Sequence, residues 1–246
     1  MISKSKISKI RMLHQKKHRE EQQLFIVEGR KSVMEVLSSS WEVEELFATE
    51  KWVERYTPNF SATIISEAEM EKISCMSTPP ELLAIVKMHK PNIENLPNDV
   101  PILVLDGIKD PGNMGTIIRT AEWFGFGYIV CSPDCVELTN PKVIQATMGS
   151  FCRTSVLYVD LEIFLQQQQK RTIYGLCMEG EEMTQVKFHS NDILIIGSES
   201  HGISPKVMSC LSQKVNISAV ENNGAESLNA SIAAAIVMFH HKRSLS

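Results

Sequence analysis

No cysteine in this chain stands in a CxxC pair. The six, Cys75, Cys131, Cys135, Cys152, Cys177 and Cys210, are scattered, and no histidine stands at metal-site spacing from Cys131 and Cys135. That pattern argues against a metal site and reads as reduced, mostly buried thiols of a cytosolic protein. Long apolar runs are missing too. The longest, Ala233 to Phe239, is core-helix size and well short of a membrane span. The N-terminus has no apolar h-region for a secretory signal. It is basic and contains serine, as a mitochondrial transit peptide would be, but Glu20 and Glu21 follow at once and lysine outnumbers arginine. The expected location is the cytoplasm, away from membrane. No internal repeat is visible. A dinucleotide-binding crossover also fits badly: there is Gly112-x-x-Gly115 but no G-x-G-x-x-G, and Asp134 stands alone after the second strand.

What is present is ordinary for a soluble globular chain. With 43% of its 246 residues apolar and 22% charged, there is material for one or two cores. The charge is unevenly placed. Lys4, Lys6, Lys9, Arg11, Lys16, Lys17 and Arg19 occur with no acid among the first nineteen residues, so that segment is +7 and the remainder −11. Such an arm is the footprint of a phosphate-rich partner, and a solvated helical face has the same composition.

The first ninety residues read as a compact α/β unit. A polar, basic helix over 3–22 precedes strands at Leu24 to Val27, Val43 to Ala48, Thr63 to Ile65 and Leu82 to Met88. A short helix spans Gly29 to Ser38, and Ser66-x-x-Glu69 is a capping box opening a helix to about Met76. Nothing in this unit has catalytic spacing, which marks it as a binding module. Residues 91–101, rich in proline and asparagine, read as a semi-stiff linker. From 102 to 246 strands alternate with helices, the pattern of a parallel sheet covered on both faces.

Three stretches in that second part bear chemistry. Ile102 to Leu105 is a buried strand running into Asp106-Gly107 and Lys109-Asp110-Pro111-Gly112. A helix follows, with Ile117, Ile118, Ala121 and Phe124 at helical spacing, and Asn113 stands where an N-cap is expected. The loop and helix start can receive an anion, or serve only as turn and cap. Ile193 to Ser204 is the second stretch, a buried strand running into Gly197-Ser198-Glu199-Ser200-His201-Gly202. Loops at the carboxyl ends of parallel strands are where ligands bind, and Gly197 and Gly202 would let one approach the backbone. Glu199 is either a site carboxylate or a helix-initiating acid, and His201 reads as an exposed loop residue. Third, Glu226-Ser227-Leu228-Asn229 opens an alanine-rich helix; Ser227 and Asn229 have the chemistry of caps.

In this order, Asn-x-Gly-x-x-x-Arg, Gly-Ser-Glu-x-x-Gly and Glu-Ser-Leu-Asn resemble the three motifs of the SpoU (TrmH-like) family of RNA ribose 2′-O-methyltransferases, in the SPOUT superfamily. The resemblance covers about residues 100–242. Residues 1–90, especially Phe25-Ile26-Val27-Glu28-Gly29, resemble that family's ribosomal-protein-like substrate-binding domain. The resemblance implies an α/β domain at 102–246 with a deep trefoil knot, a homodimer, S-adenosylmethionine as cofactor, RNA as substrate (ribosomal before transfer RNA), and no metal. It places Asn113, Arg119, Glu199, Ser227 and Asn229 in the catalytic site. Gly197, Ile217, Leu228 and Leu176 match the positions that hold the cofactor. Ser218-Ala219 and the loop Glu221-Asn222-Asn223-Gly224 depart from the family pattern, which has Pro-Met after the isoleucine. A non-catalytic RNA-binding or ribosome-assembly factor of the same fold is the alternative.

Overall fold

The computed structural model describes residues 2–56, 60–89, 96–220 and 227–245. The chain divides into two compact units. One comprises Met1–His89 and Glu137–Cys152; the other comprises Lys90–Val136 and Arg153–Ser246.

The first unit starts with α1 (Lys4–Met12) and α2 (Lys16–Gln22), followed by β1 (Leu24–Glu28), α3 (Arg30–Leu37), β2 (Val43–Thr49), α4 (Glu50–Tyr56), β3 (Thr63–Ile65), α5 (Glu67–Ile73) and β4 (Leu82–Lys87). The strands form a sheet in the order β1-β4-β2-β3, antiparallel except for the β2/β3 pair. Successive side chains of a strand point to opposite faces, so apolar residues at every position supply two cores. Phe25, Val27, Leu46, Ala48, Leu82, Ala84 and Val86 meet Val33, Val36 and Trp52 on one side. Ile26, Phe47, Leu83 and Ile85 meet Ile10, Leu13, Met70 and Ile73 on the other. The capping box is formed: the Ser66 hydroxyl accepts the Glu69 N–H at 3.3 Å, and the Glu69 carboxylate accepts the Ser66 N–H at 3.0 Å.

The basic segment is not a loose arm. Its expected single helix is two helices broken at Leu13–Gln15, because Ile10 and Leu13 are each buried in the second of those cores. Arg19 is buried, donates to the Leu13 and His14 carbonyls at 2.9 Å each, and is ion-paired to Glu137. Lys6 pairs with Glu45, Lys16 with Glu20 and Lys17 with Glu21. A charge count cannot distinguish a cation that braces the fold from one that waits for a partner.

The second unit is a six-stranded parallel sheet. Its elements begin with β5 (Ile102–Asp106), α6 (Pro111–Phe124) and β6 (Tyr128–Cys131). The chain then crosses to the first unit for Glu137–Cys152, which carries α7 (Pro141–Thr147) and a 3-10 turn at Ser150–Cys152. Ile144 and Phe151 bury there against Phe25 and its neighbours. The sequence reading put this stretch in the second domain, since nothing in its helical pattern marks an excursion. On return come β7 (Ser155–Tyr158), α8 (Leu161–Gln166), β8 (Ile173–Glu182), β9 (Ile193–Gly197), α9 (Pro205–Met208), β10 (Gln213–Asn216) and α10 (Ala230–Ser244). The strand order is β10-β8-β9-β5-β6-β7, every pair parallel.

Both faces of this sheet are covered, as its uninterrupted apolar strands require. Ile102, Val104, Ile193 and Ile195 pack with α8 and α9 residues such as Leu161, Phe164 and Val207. Residues of α10 pack against α6 and β9. The near end of the linker is tied to this unit: Arg171 donates to the carbonyls of Pro97, Val100 and Asn191. Residues 90–95 of the linker, and the 221–224 loop with Glu226, lie outside the described residues.

Candidate active site

The loop after β5 is held before it reaches α6. Gly107, at φ +74°, donates its N–H to the Ser132 hydroxyl at 2.9 Å; the Ile108 N–H is received by Cys135 Sγ at 3.2 Å. Contact with Cys131, then with Ser132 and these backbone N–H groups, brings the Cys135 thiol down to about 7 despite its burial. Asp106, buried at the strand end, accepts the Ser204 N–H at 2.7 Å and so ties β5 to the loop after β9.

The N-cap of α6 is Asp110, not Asn113. Asp110 Oδ1 accepts the Asn113 N–H at 2.7 Å, with Pro111 at the first helical position. Asp-Pro is the usual N-cap and N1 pairing, a signal the sequence carried. With the capping done by Asp110, the Asn113 side chain is free for other work. Its Nδ2 donates to Glu199 Oε1, and its Oδ1 accepts from Asn229 Nδ2 at 3.0 Å. Asn229 is the N-cap of α10, its Oδ1 receiving the Ser231 N–H at 2.9 Å and the Ile232 N–H at 3.4 Å. Three loops from distant parts of the sequence thus meet through one amide. An amide carries a donor and an acceptor on one planar group, so it can accept from Asn229 and donate to Glu199 at once; a carboxylate there could only accept.

Gly197 is required first by its own loop. The loop after it closes on itself through Ser198 and Gly202, whose N–H groups and carbonyls bond reciprocally at 3.0 and 2.9 Å. A Cβ on Gly197 would lie 2.1 Å from the Gly202 carbonyl carbon. The glycine makes room for its own loop, which in turn presents Glu199 to Asn113.

Arg119 stands apart from this cluster. It is exposed on α6, and among the described residues no hydrogen bond or ion pair reaches its side chain. Ser227 is exposed beside the Asn229 cap, and Leu228 is 47% exposed. His201 is an exposed loop residue, its ring bonded to the Ser200 hydroxyl. Leu176 and Ile217 are half-buried near an interruption in the sheet. The β8/β10 ladder runs Tyr174↔Gln213 and Gly175↔Lys214, then jumps to Glu181↔Val215, so 176–180 of β8 have no opposing residue on β10. The β8/β9 ladder also ends at Gly175. Among the described residues, 176–180 beside the end of β9 therefore have no ladder partner on β9 or β10, although the Asn216 side chain donates to the Met178 carbonyl. Leu176 and Ile217 supply apolar surface there. Such a break fits a flat, hydrogen-bonding heterocycle held largely by backbone.

A parallel α/β sheet with a polar cluster at the carboxyl ends of its strands defines a ligand-binding α/β domain. Residues 101–239 match the model of the SpoU rRNA Methylase family, and the chain belongs to that family. Residues 4–84 match the MRM3-like substrate binding domain. The chain is 27% identical, over 96% of its length and 95% of the relative's, to 23S rRNA (guanosine(2553)-2′-O)-methyltransferase RlmP of Bacillus subtilis. Among solved structures it resembles a TrmH-family protein from Porphyromonas gingivalis (31% identity, TM-score 0.87, 99% of both chains). It also resembles an AdoMet-bound rRNA methyltransferase from Sinorhizobium meliloti (25% identity, TM-score 0.88, 100% of this chain and 98% of that one).

Proposed function

We propose that this protein transfers a methyl group from S-adenosylmethionine to a ribose 2′-hydroxyl of RNA, with ribosomal RNA as the substrate in preference to transfer RNA. The observation that carries the reading is the Asn229–Asn113–Glu199 chain, which joins all three family motifs in one place. The cofactor supplies an electrophilic methyl carbon when bound. Gly197, Ile217, Leu228 and Leu176 are the residues assigned to hold it, with Leu176 and Ile217 near the break in the sheet. Asn113 and Asn229 fix the Glu199 carboxylate, and Ser227 lines the same loop. Arg119, whose guanidinium resists deprotonation, grips a substrate phosphate and offsets the negative charge growing on the 2′-oxygen.

The test is methyl transfer to total ribosomal RNA, followed by nucleoside analysis. A 2′-O-methylnucleoside should appear with RNA and not with DNA of the same sequence, which has no acceptor hydroxyl. Methylation of the DNA, or cofactor binding without any transfer to RNA, would overturn the assignment; the latter outcome would favour a non-catalytic assembly factor.

A homodimer belongs to this reading. Trp123 is 84% exposed on α6, and Ile232 and Phe239, one above the other on α10, are 51% and 52% exposed. The two helices are in contact through Phe124 and Phe239. Apolar side chains on adjoining helices suit a second copy of the chain. Arg119 lies one turn before Trp123 on the same side of α6, and about 240° around the helix from Asn113. Trp123→Glu should therefore shift the protein from dimer to monomer in sedimentation; a wild-type monomer at micromolar concentration would refute the dimer. We also infer the family's trefoil knot at the carboxyl terminus, supported by α10 returning against α6 and β9; an experimental trace without the threading would remove it. The scattered cysteines, with no CxxC pair among them, support a cytoplasmic location, which cell fractionation would check.

A further inference from the structure

The first unit carries an arginine seated over an aromatic ring. Arg30, the first residue of α3, has its guanidinium carbon 4.4 Å from the centroid of the Tyr56 ring at the end of α4. Arg55 approaches the same ring at 5.7 Å. Tyr56 is 38% exposed, but it is backed by Trp52 at 5.4 Å, and Trp52 is buried and stacked on Phe60. The ring therefore stands on the core and offers Arg30 a fixed support.

Neighbouring cations are neutralised and Arg30 is not. Arg55 is bonded to Glu81 at 3.1 Å, and Lys51 is 3.7 Å from Glu67. Arg30 and the adjoining Lys31 are exposed, and among the described residues neither has a carboxylate partner. No acidic residue occupies the first turn of α3. A cation stabilised only by a ring keeps its in-plane N–H groups for an acceptor, and its outer plane is a stacking surface already ordered. That combination suits an unpaired nucleotide, whose base stacks on a guanidinium plane while its phosphate meets the N–H fork. An acidic peptide would use the charge but leave the plane unused.

We propose that the Arg30–Tyr56 stack is where the first unit grips an unpaired nucleotide of the substrate RNA. The base lies over the outer face of Arg30, and the adjoining phosphate lies against Arg30 and Lys31. This rests on the reading of the protein as an RNA methyltransferase. It also moves the main RNA contact away from the N-terminal segment, four of whose seven cations are already paired.

The experiment uses full-length protein, S-adenosylmethionine and deproteinised ribosomal RNA. Arg30→Ala should raise KM for RNA about tenfold, the scale of one lost base stack, with kcat and cofactor affinity unchanged. Arg30→Lys keeps the charge and loses the plane, so it should restore less than half of the lost affinity. Arg55→Gln should change KM little. An unchanged KM in Arg30→Ala, full rescue by lysine, or an equal fall in kcat would overturn the proposal. Failure of wild-type protein to methylate any RNA would instead defeat the underlying reading, so the two failures are distinguishable.

Discussion

Asn113→Asp should lower methyl-transfer turnover by about a hundredfold or more, roughly 2.7 kcal/mol of barrier, while the protein stays folded. An aspartate has no N–H to give Glu199 and sets a second carboxylate against the first. Two such charges about 4 Å apart repel by about 1 kcal/mol in water and about 4 kcal/mol in a partly shielded site. The cluster is largely exposed, so the repulsion sits toward the lower figure; loss of the oriented donor must supply the remainder. Asn229 can still donate to the new carboxylate, so the start of α10 should hold. A distinctive sign is partial recovery as the medium is acidified, because one proton shared between the carboxyls removes the repulsion. Single-turnover rates across pH would show it. Wild-type rates in Asn113→Asp would mean that the amide chain is only structural.

Arg119→Ala should reduce turnover by about a thousandfold or more, with S-adenosylmethionine affinity unchanged, because the side chain lies outside the apolar cofactor residues. Arg119→Lys distinguishes the two chemical roles. A phosphate clamp keeps its charge as lysine and loses the planar fork, giving an intermediate rate with a raised, salt-sensitive KM for RNA. A proton acceptor behaves differently: an amine with its ordinary titration near pH 10 gains activity steeply as pH rises. Full activity in Arg119→Ala would refute any direct role.

The sheet of the second unit was legible because its strands are short, uniformly apolar and bounded by turn residues. Ile102–Asp106 and Ile193–Gly197 could be buried strands on both faces and little else. The order of the three loop motifs was legible too, and the structure brings Asn113, Glu199 and Asn229 together. Less could be read where one residue type serves two purposes. Asn113 and Asp110 are both good caps, and the proline directly after Asp110 is the one sequence signal that separates them. Gly197 permits a close approach, and its own loop is one of the things that approach it, which no spacing reveals. Ser132 and Cys135, which fix the loop before α6, have no pattern at all; their importance arises from strand adjacency. The helix α4 was missed because a single buried tryptophan gives too little periodicity in seven residues.

The detour of Glu137–Cys152 has a consequence for how this architecture can be recombined. Phe151 lies edge-on to Phe25 at 6.1 Å and to Trp41 at 5.5 Å, so the amino-terminal segment borrows aromatic filling from a stretch encoded well downstream. A graft of residues 1–89 onto another catalytic body would arrive with a hole in its middle. Exchange of recognition modules between relatives must therefore carry two inserts rather than one, or repack the hollow with new side chains.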